Sequence, residues 1–294
     1  ITTGSFWYHT GMQWQSIATA AALSAANAWL LTGNAGTTDS NFLGTTDNVP
    51  LNIRVNNIPS GRIDHINKNA YWGFGIGLFT TTGNENTVVG NEALRSNTSG
   101  SRNTAVGYLA LFSNTTGNGN TAVGESSLYY NIQGHSNTAT GYRALNNNST
   151  GNFNTATGHT PLFLNQTGNY NTATGQLALY NNSSGSWNTA TRYRALSNNT
   201  RGENITAGGE SALYTNTTGS ANTAFGASAL TKNTSGEHNI GIGWQPLYNN
   251  TVGARNLSAG SLSLYDNING SDNVGLGFQT LRTNRTGERN VAIG

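Results

Sequence analysis

The sequence predicts an all-β fold, a parallel β-solenoid or β-roll of 17-residue repeats, preceded by a small N-terminal cap or connector. From Asn69 to Gly294 the chain can be written in thirteen full rows of 17 residues and a truncated fourteenth, without insertion or deletion. Such a strict period indicates that every row contacts its neighbours through the same lattice. We therefore divide the chain into a connector region, 1–68, and a repeat array, 69–294.

The pattern within each row favours strands over helices. The consensus N-T-A-x-G-x-x-A-L-x-x-N-T-T-G-x-x places Gly at positions 5 and 15, where it interrupts any helical pattern. Seventeen residues are also fewer than the roughly 33 of ankyrin or tetratricopeptide units. One strand and one or two turns fit a row, and strands stacked about 4.8 Å apart would make a rod on the order of 60 Å long. Gly at positions 5 and 15 is expected to supply backbone angles that other residues resist.

The apolar residues of the strand predict which of its sides is buried. Rows such as NIGIG (239–243), NVGLG (273–277) and NVAIG (290–294) are apolar at positions 2 and 4 and small at position 3. Because alternate side chains of a strand share a face, positions 2 and 4 are predicted to face the interior. Thr at these positions in the middle rows would then need a hydroxyl partner on the adjacent strand. Leu at position 9 is predicted to be the remaining buried contact.

So few apolar positions per row predict a thin core for a chain that winds alone. If three chains wind side by side, the small position 3 and the Leu at position 9 could share a common axis, which favours a parallel homotrimer over a monomer. A head-to-tail filament is the alternative arrangement. In it, residues 1–68 would cover the coil that ends at Gly294 of the next subunit.

The connector region does not share the 17-residue phase. QSIATAAALSAANAWLL (15–31) predicts a helix, with an extended strand as the alternative. LNIRVNN (51–57) alternates like a strand, and IPSG (58–61) predicts a turn. The aromatic-rich FWYHTGMQW (6–14) favours a small core under the cap, and a contact surface for another subunit is the alternative.

The repeats resemble a known family of surface proteins. NVAIG, NIGIG and NTAVG, recurring with Asn and Gly at fixed phase, are similar to the head repeats of trimeric autotransporter adhesins, which form left-handed parallel β-rolls. NTAVGYLALFSNTTGNGNTAVG (103–124) looks like repeat arrays of bacterial surface and phage tail-fibre proteins that end in an endosialidase-type chaperone, and 28–57 resembles the segment before such arrays. The resemblance implies an extracellular, cell-surface or virion-tail location, self-association, and a glycan receptor on a cell surface.

Composition agrees with a structural role outside the cell. The chain has no Cys, one Met, 38 Gly and only 9% charged residues, unlike an ordinary enzyme or a highly charged disordered chain. A net charge of +2 gives no electrostatic basis for binding nucleic acid. No apolar run approaches the roughly 20 residues of a membrane span, so no membrane insertion is expected.

The search for catalytic chemistry predicts no enzyme, metal or cofactor site. GFGIG (73–77) resembles a phosphate loop by letters alone, because its first Gly is the ordinary position-5 residue. Glu125 and Glu210 share position 6 but lie five rows apart, roughly 24 Å, too far for a carboxylate pair. The histidines fall at unrelated phases without metal-ligand spacing: His9, His65, His135, His159 and His238.

Three features could still bind or carry something. Position 10 is often aromatic, and such a stripe could contact a glycan or a partner, although we favour rings that cover the Leu at position 9. Thr-x-Thr in four successive rows resembles ladders of ice-binding solenoids, which we disfavour because the same face was assigned to the interior. Eight Asn residues at position 12 form N-x-S/T sequons that permit N-glycosylation, although a tight turn explains the same letters.

The residues of these features are as follows. The position-10 aromatics are Phe112, Tyr129, Phe163, Tyr180, Tyr214, Tyr248 and Tyr265. The threonines of the ladder are Thr138, Thr140, Thr155, Thr157, Thr172, Thr174, Thr189 and Thr191. The sequon asparagines are Asn97, Asn114, Asn148, Asn165, Asn182, Asn216, Asn233 and Asn284.

Together these observations predict the non-enzymatic shaft of an extracellular fibre, of the bacterial adhesin or filament type. A receptor-binding phage tail fibre is the alternative, and an ice-binding solenoid is a minor one.

Overall fold

The structure is a computed structural model that describes residues 37–294 and the backbone of two short strands before them. The chain forms two compact units, Ile1–Asn48 and Val49–Gly294. In the first unit, β1 (Phe6–His9) pairs antiparallel with β2 (Trp14–Ile17). Residues 15–17, at the start of the predicted helix, are therefore extended, as in the alternative interpretation. The rest of 15–31 and the aromatic side chains of 6–14 lie outside the described residues.

The second unit is a parallel β-solenoid in which each row contributes one short strand. Strands of successive rows pair in parallel with residue i opposite residue i+17, so that Thr155 lies between Thr138 and Thr172. No helix occurs among the described residues, and the predicted all-β solenoid of 17-residue coils is confirmed. Its strands are β3 (Leu51–Val55), β4 (Ile58–Asp64), β5 (Asn69–Trp72), β6 (Thr87–Val89), β7 (Thr104–Val106), β8 (Thr121–Val123), β9 (Thr138–Thr140), β10 (Thr155–Thr157), β11 (Thr172–Thr174), β12 (Thr189–Thr191), β13 (Thr206–Gly208), β14 (Thr223–Phe225), β15 (Ile240–Ile242), β16 (Leu257–Ala259), β17 (Val274–Leu276) and β18 (Val291–Ile293).

An antiparallel hairpin extends the sheet beyond the first repeat strand. β3 pairs with β4, and β4 pairs antiparallel with β5. The turn between β3 and β4 falls on Asn56 and Asn57, whose φ angles are +46° and +59°. A two-residue hairpin turn of type I′ requires positive φ at both central residues, which Asn tolerates better than most residues. The predicted turn at IPSG (58–61) is therefore wrong, because these residues belong to β4.

The interior of most coils is built from small side chains at positions 3 and 8 and from Leu at position 9, whereas the first coil buries Tyr71 at position 3 and Ile76 at position 8. A Cβ added to Gly241, at position 3, would lie 3.3 Å from Leu230 Cδ1 and from Pro246 Cγ. Position 3 therefore faces positions 8 and 9 across the coil. The prediction that Leu at position 9 is buried is confirmed, since the following leucines are fully buried: Leu94, Leu111, Leu128, Leu145, Leu162, Leu179, Leu196, Leu213, Leu230, Leu247 and Leu264.

The predicted facing of the strand is wrong. Ala156, at position 3 of its row, is fully buried, whereas Thr155 and Thr157 on either side are exposed, and the same alternation recurs along the array. The coil is so narrow that position 3 meets the opposite wall directly, and it holds Ala, Gly or Ser in every row except the first two, where Tyr71 and Val88 are buried. The small position 3 and the Leu at position 9 thus close the chain's own core and offer no axis for three chains.

Two buried columns of asparagines hold successive coils together. At position 1, Asn137 Nδ2 donates to Gly151 O (2.8 Å) of its own coil, and Asn137 N donates to Asn120 Oδ1 (3.0 Å) of the preceding one. At position 12, Asn114 Nδ2 donates to Asn97 Oδ1 at 2.9 Å. These bonds repeat from coil to coil and satisfy amides that are removed from water.

The glycines of positions 5 and 15 have different roles. Gly158, at position 5, has a φ of +132°, a conformation that L-residues rarely adopt. Gly151, at position 15, has no such φ, but an added Cβ would collide with Gly168 O and with the Asn148 and Asn165 amides. The expectation of special backbone angles is therefore met at the position-5 glycines except Gly209, and it is wrong at position 15, where close packing excludes a side chain. Arg192 is the exception at position 5 and adopts a φ of +94°.

Candidate functional site

The outward side of the repeat strands is the most regular surface of the solenoid. We call it the strand face, and it consists of the side chains at positions 2 and 4 of each row. In β9 to β12 it carries two columns of Thr, and Thr138, Thr140 and Thr157 are exposed. Within the described part of the chain these Thr hydroxyls make no hydrogen bond to protein. The expected pairing of buried Thr on adjacent strands is therefore replaced by hydroxyls that point to solvent.

Towards the C-terminus the same face becomes apolar. β14 ends in Phe225, which is 48% exposed, and Ile242 of β15 is 46% exposed. Both of these side chains stand at position 4, and Ile240 of β15, Leu257 of β16 and Val274 of β17 form a parallel apolar column at position 2. Phe225 lies opposite Ile242, and Leu257 lies between Ile240 and Val274, so the two adjacent columns together form one apolar strip.

The predicted aromatics of position 10 form a column, which we call the position-10 column, and they are half-buried. Three pairs from successive coils are stacked almost parallel: Phe112 with Tyr129, Phe163 with Tyr180, and Tyr248 with Tyr265, with ring centroids 5.0, 5.1 and 5.3 Å apart. Tyr214, the seventh predicted residue, has no stacked partner among the described residues. Partial burial, together with Tyr130 and Glu92, raises the pKa of the Tyr129 hydroxyl.

Cations of the chain lie beside several rings of this column. The Arg95 guanidinium lies 5.8 Å from the Phe112 centroid, and the Arg282 guanidinium lies 5.8 Å from that of Tyr265. Lys232 Nζ lies 5.3 Å from the Tyr248 centroid. These distances are those of cation–π contacts, so the ring faces that end a stack are attractive to positive charge.

A second aromatic ladder was missed by the sequence reasoning. Phe153, Tyr170 and Trp187, all at position 17, stack on one another with centroids 4.9 and 5.7 Å apart, and about half of each side chain is exposed. The signal was present, because aromatics stand at one row position in three successive rows. Position 17 of one row lies two residues before position 2 of the next row. This ladder therefore lies along one edge of the strand face.

The sequon asparagines lie in the interior. The side chains of the seven sequon residues before Asn284 are fully buried, and Asn284 at the last coil is partly buried. Asn148 Nδ2, for example, donates both to Asn131 Oδ1 (2.8 Å) and to Gly151 O (2.9 Å). A glycan attached at Nδ2 would have to replace one of these hydrogen bonds and leave the coil. This geometry favours the turn interpretation of the sequons.

Charged residues at position 17 form exposed ion pairs between successive coils. Arg102 Nε donates to Glu85 Oε2 at 3.0 Å, and Arg255 Nε donates to Asp272 Oδ1 at 2.7 Å. These hydrogen bonds hold the pKa of each carboxyl below its usual value. Neither pair lies in a cleft with other catalytic groups. The described residues contain no cluster of His, Asp or Glu with the arrangement of a metal site.

The predicted residues are thus separated into surface columns and interior columns. Among the described residues no helix is long and apolar enough to cross a membrane. Comparison of the chain with protein-family models, with curated proteins and with solved structures gives no match.

Proposed function

We propose that this chain is the non-enzymatic shaft of an extracellular fibre, in which copies associate side by side through the strand face. The observation that carries the proposal is the apolar strip of β14 to β18, which a single copy leaves in water. Contiguous exposed apolar surface is characteristic of protein interfaces, because covering it removes that surface from water. The interior of each coil is already complete, so the association we propose uses the outer surface and not a shared core.

A parallel homotrimer suits this surface. Three copies around a three-fold axis each present the same strip, and closed symmetry leaves none of the three strips uncovered. Each added row would lengthen such a shaft without altering its cross-section, since every coil repeats the same interior contacts. The resemblance to trimeric adhesin repeats supports the same arrangement. A receptor-binding tail fibre of a phage is the alternative setting for the same shaft.

The mass of the purified chain in solution tests this proposal. We expect sedimentation equilibrium to give three times the 30.9 kDa chain mass. Ile240→Lys combined with Ile242→Lys should reduce the mass towards that of one chain, because both side chains lie on the strip. Val252→Lys is the matched control, since Val252 is exposed in the same row but off the strand. A wild-type chain that stays monomeric at high concentration would contradict the proposal.

Ice binding is a second candidate, and the outward Thr columns favour it. The objection from the sequence was that the Thr-x-Thr face is interior, and the structure removes that objection. Hydroxyls held at fixed spacing on a rigid sheet, without protein partners, are available to order water. Purified chain should then slow ice recrystallisation. Thr157→Lys with Thr174→Lys should abolish the effect, whereas Thr167→Lys, exposed in the same row as Thr157 but off the strand, should not.

The two candidates exclude each other on the same face. If copies cover the strand face along its length, its Thr hydroxyls are withdrawn from bulk water and cannot contact ice. A trimer without any effect on ice growth therefore supports the shaft. A monomer that inhibits recrystallisation supports the second candidate.

A further inference from the structure

The position-10 column is interrupted at Asn146. Tyr129 ends the stacked pair on one side of this residue, and Phe163 begins the stacked pair on the other. Each step between stacked rings is 5.0 or 5.1 Å, so the rings of Tyr129 and Phe163 are separated by two steps, about 10 Å. A flat ring placed midway would stand about 5 Å from both, which is the spacing used elsewhere in the column.

The interruption opens a cleft of about 470 Å³. Three aromatic side chains line it, namely Tyr129, Phe163 and Tyr130. The ring of Tyr130 is roughly perpendicular to that of Tyr129, with ring centroids 4.4 Å apart and planes at 76°. The cleft therefore has aromatic walls on more than one side. It lies across the coil's core from the strand face, because position 10 follows the buried Leu that faces position 3.

Polar groups of defined orientation complete the cleft. Asn146 is 7% exposed, and its Nδ2 donates to Ser126 O at 2.8 Å. This bond fixes the amide and leaves its Oδ1 without a protein donor within the described residues. Arg143 also lines the cleft, and it is the sole charged side chain among the lining residues. Its guanidinium lies 5.0 Å from the Tyr142 ring centroid, which supports it from outside the cleft.

Two other interruptions of the column differ from this one. Ser197 and Thr231 also lack a ring at position 10. Beside Ser197, the Arg194 guanidinium lies 6.0 Å from the Tyr214 centroid, and beside Thr231, Lys232 Nζ lies 5.3 Å from that of Tyr248. Within the described chain no cation lies over Tyr129 or Phe163. The interruption at Asn146 is thus the one whose flanking rings are not covered by a cation of the chain itself.

We propose that the cleft at Asn146 binds one pyranose ring of an acidic glycan, a hexuronic acid residue. The C–H groups on the two faces of the sugar would pack against Tyr129 and Phe163, which stand about two coil steps apart. Asn146 Oδ1 accepts a hydrogen bond from a sugar hydroxyl, and Arg143 pairs with the carboxylate through a charge-assisted hydrogen bond. No carboxylate stands among the residues that line the cleft.

The test uses the full chain and two small probes, methyl β-glucuronide and methyl β-glucoside, in saturation-transfer and titration NMR. We expect saturation transfer to the ring protons of the glucuronide and at least tenfold weaker binding of the neutral glucoside. Asn146→Tyr supplies the missing ring and should reduce glucuronide binding at least tenfold. Tyr occupies the same row position at Tyr129 and Tyr180, so the variant should keep the fold, which circular dichroism checks.

Matched variants separate this cleft from its neighbours. Ser197→Tyr fills another interruption of the same column and should leave glucuronide binding unchanged. The side chain of Arg143 is exposed and lies outside the core, so Arg143→Gln should retain the fold. This variant should lose the preference for the acidic sugar. Equal glucuronide binding by wild type and Asn146→Tyr would overturn the site, as would the absence of saturation transfer in wild type. Equal affinities of wild type for the two sugars would overturn the assignment of an acidic one.

Discussion

The segments β9 to β12 and β15 to β18 have the same fold and opposite outer surfaces. Inside, both carry small residues at position 3, Leu at position 9 and Asn at positions 1 and 12. Outside, the first segment presents Thr at positions 2 and 4, whereas the second presents mostly Ile, Val and Leu. Both sets of outer side chains are accommodated without any shift in strand register.

This difference separates the residues that build the coil from those that interact with the surroundings. The interior columns hardly vary, because each side chain fills a space fixed by the coils above and below it. The strand face varies because water or another molecule can accommodate either type of side chain. We therefore place folding information in positions 1, 3, 5, 9, 12 and 15, and functional information in positions 2, 4, 10 and 17.

A charge placed in the shared interior should have the largest effect in both segments. Leu145→Asp and Leu247→Asp each bury an unpaired carboxylate and should lower the free energy of unfolding by about 3–5 kcal/mol. Tyr142→Asp, half-exposed in the row of Leu145, should cost less than about 1 kcal/mol. Guanidinium denaturation followed by circular dichroism measures all three. Equal losses for Leu145→Asp and Tyr142→Asp would show that the interior is misassigned.

Overpacking tests the facing of the strand directly. Ala156→Ile inserts three carbon atoms at a fully buried position and should cost about 1–3 kcal/mol. Thr157→Ile, the next residue on the exposed face, should change stability by less than about 0.5 kcal/mol. The same denaturation experiment compares them. A larger loss of stability for Thr157→Ile than for Ala156→Ile would show that positions 2 and 4 face the interior, as the sequence predicted.

Exchanging the outer side chains tests whether they alone distinguish the two segments. Ile240→Thr with Ile242→Thr gives β15 the outer surface of β10, and should weaken self-association by about 1–2 kcal/mol per subunit. Thr172→Ile with Thr174→Ile, the reverse exchange in β11, should strengthen it. Sedimentation at several concentrations measures both. Unchanged association in both variants would remove the strand face from the interface.

Arg192 is the one residue at position 5 of the repeats that is not Gly. Its φ of +94° strains an L-residue, whereas Gly adopts this angle readily. Arg192→Gly should therefore raise stability by about 1 kcal/mol. Arg201→Gly in the same row is the control, because Arg201 has no positive φ, and it should bring no gain. The midpoints of thermal unfolding compare the two, and a gain in the control alone would contradict the explanation.

The smallest effect concerns the loop that follows β4. Burial acts to raise the pKa of Asp64, but hydrogen bonds from Asn67 and Arg62 outweigh it, and the pKa is lowered. Because the folded pKa is below the unfolded value of about 3.9, the contribution is complete above that pH and is lost as pH falls through the folded pKa. Amide exchange at Ile66 and Asn67, whose N–H groups donate to Asp64 Oδ1, should show this loss of protection.

Asp64→Asn provides the control for that measurement. The variant has no titrating carboxyl, so protection at Ile66 and Asn67 should be weaker at neutral pH and should not fall further on acidification. Protection in β10 should not follow the titration of Asp64 in either protein. A wild-type loop whose protection stays constant from pH 6 down to the lowest pH at which β10 remains protected, while the carboxyl of Asp64 is seen to titrate by NMR within that range, would contradict the role of the carboxylate.

The sequence by itself determined the coil and its repeat. A 17-residue period without insertions permits one lattice of contacts. Gly at position 5 indicates a backbone angle that other residues resist, and Leu at position 9 indicates a buried contact. The strand within each row followed from the same pattern. The hairpin turn at Asn56–Asn57 was missed, because two adjacent segments both contained residues common in turns.

Only the tertiary structure decided which side of the strand faces inward. Alternation divides a strand into two faces, but the width of the coil selects the buried one, and that width results from contacts between residues distant in the row. The same closure buried the sequon amides, excluded side chains at position 15 and aligned the rings of positions 10 and 17. The cleft at Asn146 also arises in this way, because a missing ring becomes a site only when the coils above and below supply its walls.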